Sequence, residues 1–275
     1  MMFGKLMKYE LRYLIRIFAP MWAAVFALCV MFRVTVGPKL TGENLYLEGN
    51  EALLPAVIGV ITVFAIMTMM IVATVVLIQR FYKGMYGDEG YLMFTLPVTT
   101  GQLIHSKALS ALLMMLGTEV VTMLGIFVMV SFKQLFNGEA MGMTFGEMWR
   151  FFLEMMESNG ISSGMLALYM FWGMVIGLLV TVTGIYMIYL AISLGQLWKK
   201  HPVAGAIIAY YVLNLVVTGV ETALGLNMEF TIMNNMVYQE QLMVLLLYFT
   251  VHSLVLFAIS FFGTKLLLDK KLNIA

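Results

Sequence analysis

From Ile161 to Trp198 the sequence carries no charged residue. Soluble domains do not sustain such a run, because about a quarter of their residues are charged. One upright membrane span needs about 20 apolar residues. The run exceeds that length and predicts a fourth helix that is tilted, bent or projecting beyond the bilayer. Further apolar runs at 18–36, 53–79, 103–132, 203–220 and 242–267 bring the expected spans to six. Composition agrees, since the 275 residues are 62% hydrophobic and only 11% charged. The fold class expected is all-α, a polytopic membrane protein forming one domain over residues 1–275.

The basic residues set the orientation. With both termini in the cytoplasm, Lys5, Lys8, Arg12, Arg16, Arg80, Lys83, Lys107, Lys199, Lys200, Lys265, Lys270 and Lys271 all fall on that side. Arg33, Lys39, Lys133 and Arg150 fall outside, and the bias follows the positive-inside rule. Residues 1–17 read as an amphipathic helix lying along the membrane, with Lys5, Lys8, Arg12 and Arg16 on one stripe and Phe3, Leu6, Leu11 and Leu14 on another. No cleavable signal peptide is expected, because no clear small-residue cleavage site follows the first apolar run. Arg33 is placed to snorkel from the far end of the first span. Cys29, the single cysteine, excludes an internal disulfide and reads as a small packing residue. Residues 133–163 form the largest outer loop. There Thr144 to Glu147 reads as a capping box opening an interfacial helix anchored by Trp149, with Asn159-Gly160 as its stop.

Residues 80–107, RFYKGMYGDEGYLMFTLPVTTGQLIHSK, interrupt the apolar pattern on the basic side. Gly84, Gly87 and Gly90 argue against a long helix there. Asp88 is placed to cap a short helix over 89–96, and Pro97 stops it by pushing the preceding residue out of the α region. Thr99 and Gln102 then form a capping box that opens the third span. The short helix would show Tyr91, Leu92, Phe94 and Leu96 to water, with Asp88 and Glu89 at the rim. That is more apolar surface than a connector needs, and such patches mark docking sites.

The phrase GDEGYLMFTLPVTTGQLIHSK resembles the first cytoplasmic loop of ABC-2-type transporter permeases, similar to small permeases paired with bacitracin- or lantibiotic-type ATPases. The resemblance implies a coupling helix, carried by Asp88, Glu89, Tyr91, Leu92, Phe94, Leu96 and Pro97, that seats on a separate ATPase subunit. It implies a second permease subunit, identical or paralogous, and a bacterial cytoplasmic membrane. It also implies a hydrophobic or amphipathic cargo such as a drug, an antimicrobial peptide or a lipid. No GxxxxGK[ST] phosphate cradle occurs. The chain is therefore expected to be no enzyme and to carry no cofactor, with ATP and Mg held by the partner. A net charge of +1 without a basic tail gives no reason to expect nucleic acid. The alternatives are a non-transporting sensor or scaffold whose loop binds a signalling partner, and an intramembrane hydrolase.

Little in the sequence supports hydrolysis. Gly160-Ile161-Ser162-Ser163-Gly164 matches GxSxG, yet it falls in a helix-to-helix turn instead of a strand-to-helix elbow. His105, His201 and His252 are scattered, and no HExxH occurs. Four polar residues remain in or near spans: Glu119, Asn214, Glu221 and His252. A mid-span carboxylate costs about 3 kcal/mol on insertion scales and so faces a partner or a wet cavity. Glu119 reads either as a translocation-pathway residue or as a protonated packing residue. Asn214 and His252 read as further pathway candidates or as helix-contact groups, and Glu221 as solvated near the outer interface.

Overall fold

The computed structural model describes residues 2–36, 50–95, 97–131, 145–158, 162–198, 200–224 and 239–272. Every regular element among them is a helix. These are α1 (Met2–Val36), α2 (Asn50–Met85), α3 (Asp88–Phe94), α4 (Thr100–Ser131), α5 (Phe145–Ser158), α6 (Ser163–Gly195), α7 (Pro202–Ala223) and α8 (Gln239–Leu272). Six of them are long and apolar enough to cross a membrane, in the segments Phe3–Thr35, Val57–Met85, Thr100–Met129, Gly164–Gly195, Pro202–Ala223 and Met243–Lys270. The chain is a multi-pass membrane protein. Helix α6 has 33 residues, about 50 Å at 1.5 Å per residue, against a hydrocarbon layer of about 30 Å.

Two expectations about helix ends are corrected. No break separates a helix over 1–17 from the first span, because α1 is continuous and holds Pro20 in its interior. A proline forfeits one intrahelical bond, and here Pro20 is exposed. Helix α2 likewise runs through Gly84 as far as Met85. The proposed cap at Thr144, the stop at Asn159-Gly160 and the connections over 37–49 and 225–238 lie outside the described residues.

The chain forms two compact units. One comprises Leu6–Leu77 and Leu113–Gly160. Its core gathers Val25, Cys29 and Met69, with Met21, Trp22, Ile66 and Met129 packed around them. Trp22 Nε1 donates to Thr118 Oγ1 at 3.0 Å, which satisfies the one polar atom of a ring otherwise suited to a dry interior. Cys29 is fully buried, as a packing residue should be. Arg33 is 8% exposed and donates to the Met129 carbonyl at 3.5 Å. Met129 lies in the last turn of α4, where carbonyls lack intrahelical partners and carry partial negative charge, so a guanidinium there is favoured.

The other unit comprises Met1–Lys5, Ile78–Leu112 and Ile161–Ala275. Within it α6 packs against both α7 and α8. The α6–α7 turn is closed backbone to backbone. A Cβ at Gly195 would stand 2.4 Å from Ala206 N and 2.6 Å from Pro202 O, so only glycine allows that approach. Between α6 and α8, Thr183 Oγ1 donates to the Ser253 carbonyl at 3.0 Å, and both residues are buried.

Candidate functional site: the turn between α2 and α4

The turn is assembled by close packing of main chain. Tyr86 N and Gly87 N both donate to the Tyr82 carbonyl, at 2.8 and 3.1 Å, and Gly90 N donates to Gly87 O at 2.8 Å. A Cβ at Gly87 would lie 2.9 Å from Lys83 O, and one at Gly90 would lie 2.9 Å from Met85 O. Both glycines are therefore required by space; Gly87 has an ordinary φ of −89°. That residue is the N-cap of α3, and Asp88 is the first helical residue and not the cap. Helix α3 closes at Thr95, earlier than expected, and Leu96 lies outside the described residues. The capping box after Pro97 forms as read: Thr99 N donates to Gln102 Oε1 at 3.2 Å and Gln102 N to Thr99 Oγ1 at 3.3 Å.

Three side-chain contacts fix this turn to neighbouring helices. The Phe81 ring stacks on Tyr189 of α6, with centroids 3.6 Å apart and an 8° interplanar angle. Tyr86 donates its hydroxyl proton to Ser193 Oγ at 2.7 Å, and Ser193 in turn donates to the Tyr189 carbonyl at 2.8 Å. Burial pushes the Tyr86 phenol up to about 12, with the Ser193 bond pulling the other way. Arg80 Nη1 meets Glu89 Oε2 at 2.8 Å and ties the end of α2 to α3. Glu89 is half-exposed, so this pair orients the turn more than it stabilises it.

The exposed face of α3 is narrower than the sequence reading. Tyr91 is 79% exposed and Leu92 67%, whereas Phe94 is half-buried and Pro97 is exposed. On the same unit, the α6–α7 turn exposes Leu197 and Trp198. No sequence pattern flagged Phe81, Tyr86, Tyr189 or Ser193. A signal existed in α6, where Tyr186, Tyr189 and Ser193 recur at i, i+3 and i+7 and so share a face.

The structure separates the polar residues singled out within the spans. His252 Nε2 lies 2.9 Å from Glu221 Oε1, and Tyr248 donates to the same oxygen at 2.7 Å. The Tyr248 and His252 rings are parallel to within 5°. Glu221 is thus a half-buried acceptor joining α7 to α8 and not a solvated bystander. Asn214 is exposed and donates to the Tyr210 carbonyl of its own helix at 2.8 Å, so among the described residues it joins no second helix. Glu119 is exposed beside Val120 and Met123. Among the described residues it has no partner.

The GxSxG serine has a structural role. Ser162 is the N-cap of α6, its side chain accepting from Met165 N at 3.5 Å. His105 is bonded through Nδ1 to Tyr186, and His201 is exposed at the start of α7. Among the described residues no three His, Cys, Asp or Glu side chains converge as a metal site. No known protein family, curated protein or solved structure matches this chain.

Proposed function

We propose that this chain is the membrane-spanning permease subunit of an ATP-driven exporter of the ABC-2 type, with α3 as the element that seats on a separate ATPase. The observation that carries this reading is the pairing of exposure with rigidity in one short helix. Tyr91 and Leu92 are presented to solvent while Phe81, Tyr86 and Arg80 hold the base of the same turn. Aromatic anchors that enter a partner's pocket dominate interfaces of this kind, typically at 2 kcal/mol or more each. A pre-ordered helix binds without the cost of ordering a loop. The basic side of the chain is then cytoplasmic, the membrane is a bacterial cytoplasmic one, and two such subunits assemble with two ATPases. The cargo class is hydrophobic or amphipathic. Glu119, exposed on an apolar face, supports a second subunit or a wet pathway there, because a carboxylate against lipid is costly.

The experiment is purification of the chain from its native membrane, followed by assay of the complex for ATP hydrolysis. A permease returns with an ATPase whose turnover responds to the membrane subunit, and Tyr91→Ala/Leu92→Ala abolishes that association while membrane insertion persists. A sensor or scaffold retains its partner with no ATP turnover. Recovery of an unaltered, active ATPase complex with the double variant would remove α3 from the coupling role.

A further inference from the structure

We infer that a cavity within the unit containing α6, α7 and α8 binds the hydrocarbon chain of a fatty-acid-like amphiphile, with His105 meeting its head. The cavity has a volume of about 260 Å³ and is walled by Phe3, His105, Ala108, Leu112, Tyr186 and Phe257 among others. They come from α1, α4, α6 and α8. An apolar cavity of about 150 Å³ already accepts benzene, so this one has room for a length of a single chain.

The wall is preformed. His105 stacks on Phe261 with centroids 4.6 Å apart and a 23° interplanar angle. Tyr186 meets Phe257 edge to face at 4.9 Å and 84°, and is itself buried. The Tyr186 hydroxyl is 2.5 Å from His105 Nδ1, which commits the phenol and one ring nitrogen to each other. Among the described residues the second nitrogen of the half-buried imidazole has no hydrogen-bond partner. One spare nitrogen cannot hydrate roughly eight water volumes of apolar space, since each water needs two to four polar partners. In a bilayer the occupant is therefore hydrocarbon, carrying at most one hydrogen-bonding head.

Position favours a hydrogen-bonding head at His105. Phe3 lies in the first turn of α1 and His105 in the second turn of α4. The cavity thus lies near helix ends, where hydrocarbon gives way to head groups. A long-chain carboxylate would present its oxygens to His105 and its tail to Leu112 and Phe257. This site stands whether or not the chain transports anything.

The test uses the full chain in nanodiscs with a palmitic acid analogue bearing a diazirine on its tail, followed by peptide mapping. A parallel arm carries the same chain esterified in phosphatidylglycerol. The expected result is labelling around Leu112 and Phe257 that excess unlabelled palmitate competes away, while labelling at exposed Met123 is not competed. His105→Phe should weaken the competed labelling about tenfold, the loss of one hydrogen bond to a charged group. Leu112→Trp should abolish it by filling the space. Competed labelling only in the phospholipid arm keeps the site and names a membrane lipid as its source. Labelling that no competitor reduces in either arm, or that equals the Met123 level, overturns the site without bearing on ATPase coupling.

Discussion

Replacing Phe81 tests whether the turn at α3 is held by α6. The side chain is 1% exposed and stacks face to face on Tyr189. Truncating a buried Phe to Ala typically costs about 3–5 kcal/mol from lost transfer energy and the cavity left behind. Aromatic pairing contributes about 0.5–1.5 kcal/mol of such a contact beyond its area. Phe81→Leu keeps most of the volume and loses the stack, so it should cost about 1 kcal/mol, roughly a third of the Ala effect. The assay is amide hydrogen exchange over residues 86–95 in nanodiscs, read beside denaturant unfolding. If undocking from α6 governs opening of α3, a 3 kcal/mol loss raises its exchange by about a hundredfold, since 1.4 kcal/mol is tenfold. The Leu variant should raise it less than tenfold. Unchanged exchange over α3 in Phe81→Ala, with global stability lowered, would show that the stack supports the helices without positioning the turn.

Tyr86, with a folded-state pKa raised from 10 to about 12, contributes stability that is complete below pH 10 and is lost as pH rises through 12. Two units correspond to about 3 kcal/mol at most. The phenolate absorbance difference between the wild type and Tyr86→Phe should titrate near 12, and titration near 10 would mean that the phenol is not docked. In a Cys29→Ala background, a cysteine at exposed Glu154 should react with an impermeant thiol reagent on intact cells, whereas cysteines at exposed Tyr91 and Lys200 should not. Labelling of Tyr91 from outside would invert the proposed topology. Glu119→Gln should impair transport with expression preserved if the charge lines a wet path. Full function in both Glu119→Gln and Glu119→Leu would give it neither a pathway nor a packing role.

Six spans were legible because length and apolarity are local properties, and a charge-free run such as Ile161–Trp198 has few other solutions. The capping box at Thr99 and Gln102 was legible for the same reason, since both partners lie within one turn. Lateral pairings were not. Helices such as α6 are apolar around their whole circumference, so no amphipathic stripe marks which side meets protein and which meets lipid. Glu221 and His252, 31 positions apart, therefore read as separate residues. Asn214 read as a bridge although its amide turns back on its own helix. At Gly87 and Gly90 the letters announced a turn, but the reason was the closeness of Lys83 and Met85 main chain, which sequence does not record. Arg33 showed a charge near a helix end and gave no hint that the α4 terminus would receive it.

The bond chain from Tyr86 through Ser193 to the Tyr189 carbonyl has a direction. Ser193 sends its own proton into the main chain of α6, so departure of the phenol leaves no orphaned donor on that helix. Of the two donors only the Tyr86 hydroxyl would then need a new acceptor. The α6 side of the seam stays satisfied in either position, and an unmade donor would otherwise penalise opening. What holds the seam closed on the α6 side is therefore the Phe81–Tyr189 stack and not a donor that opening would strand.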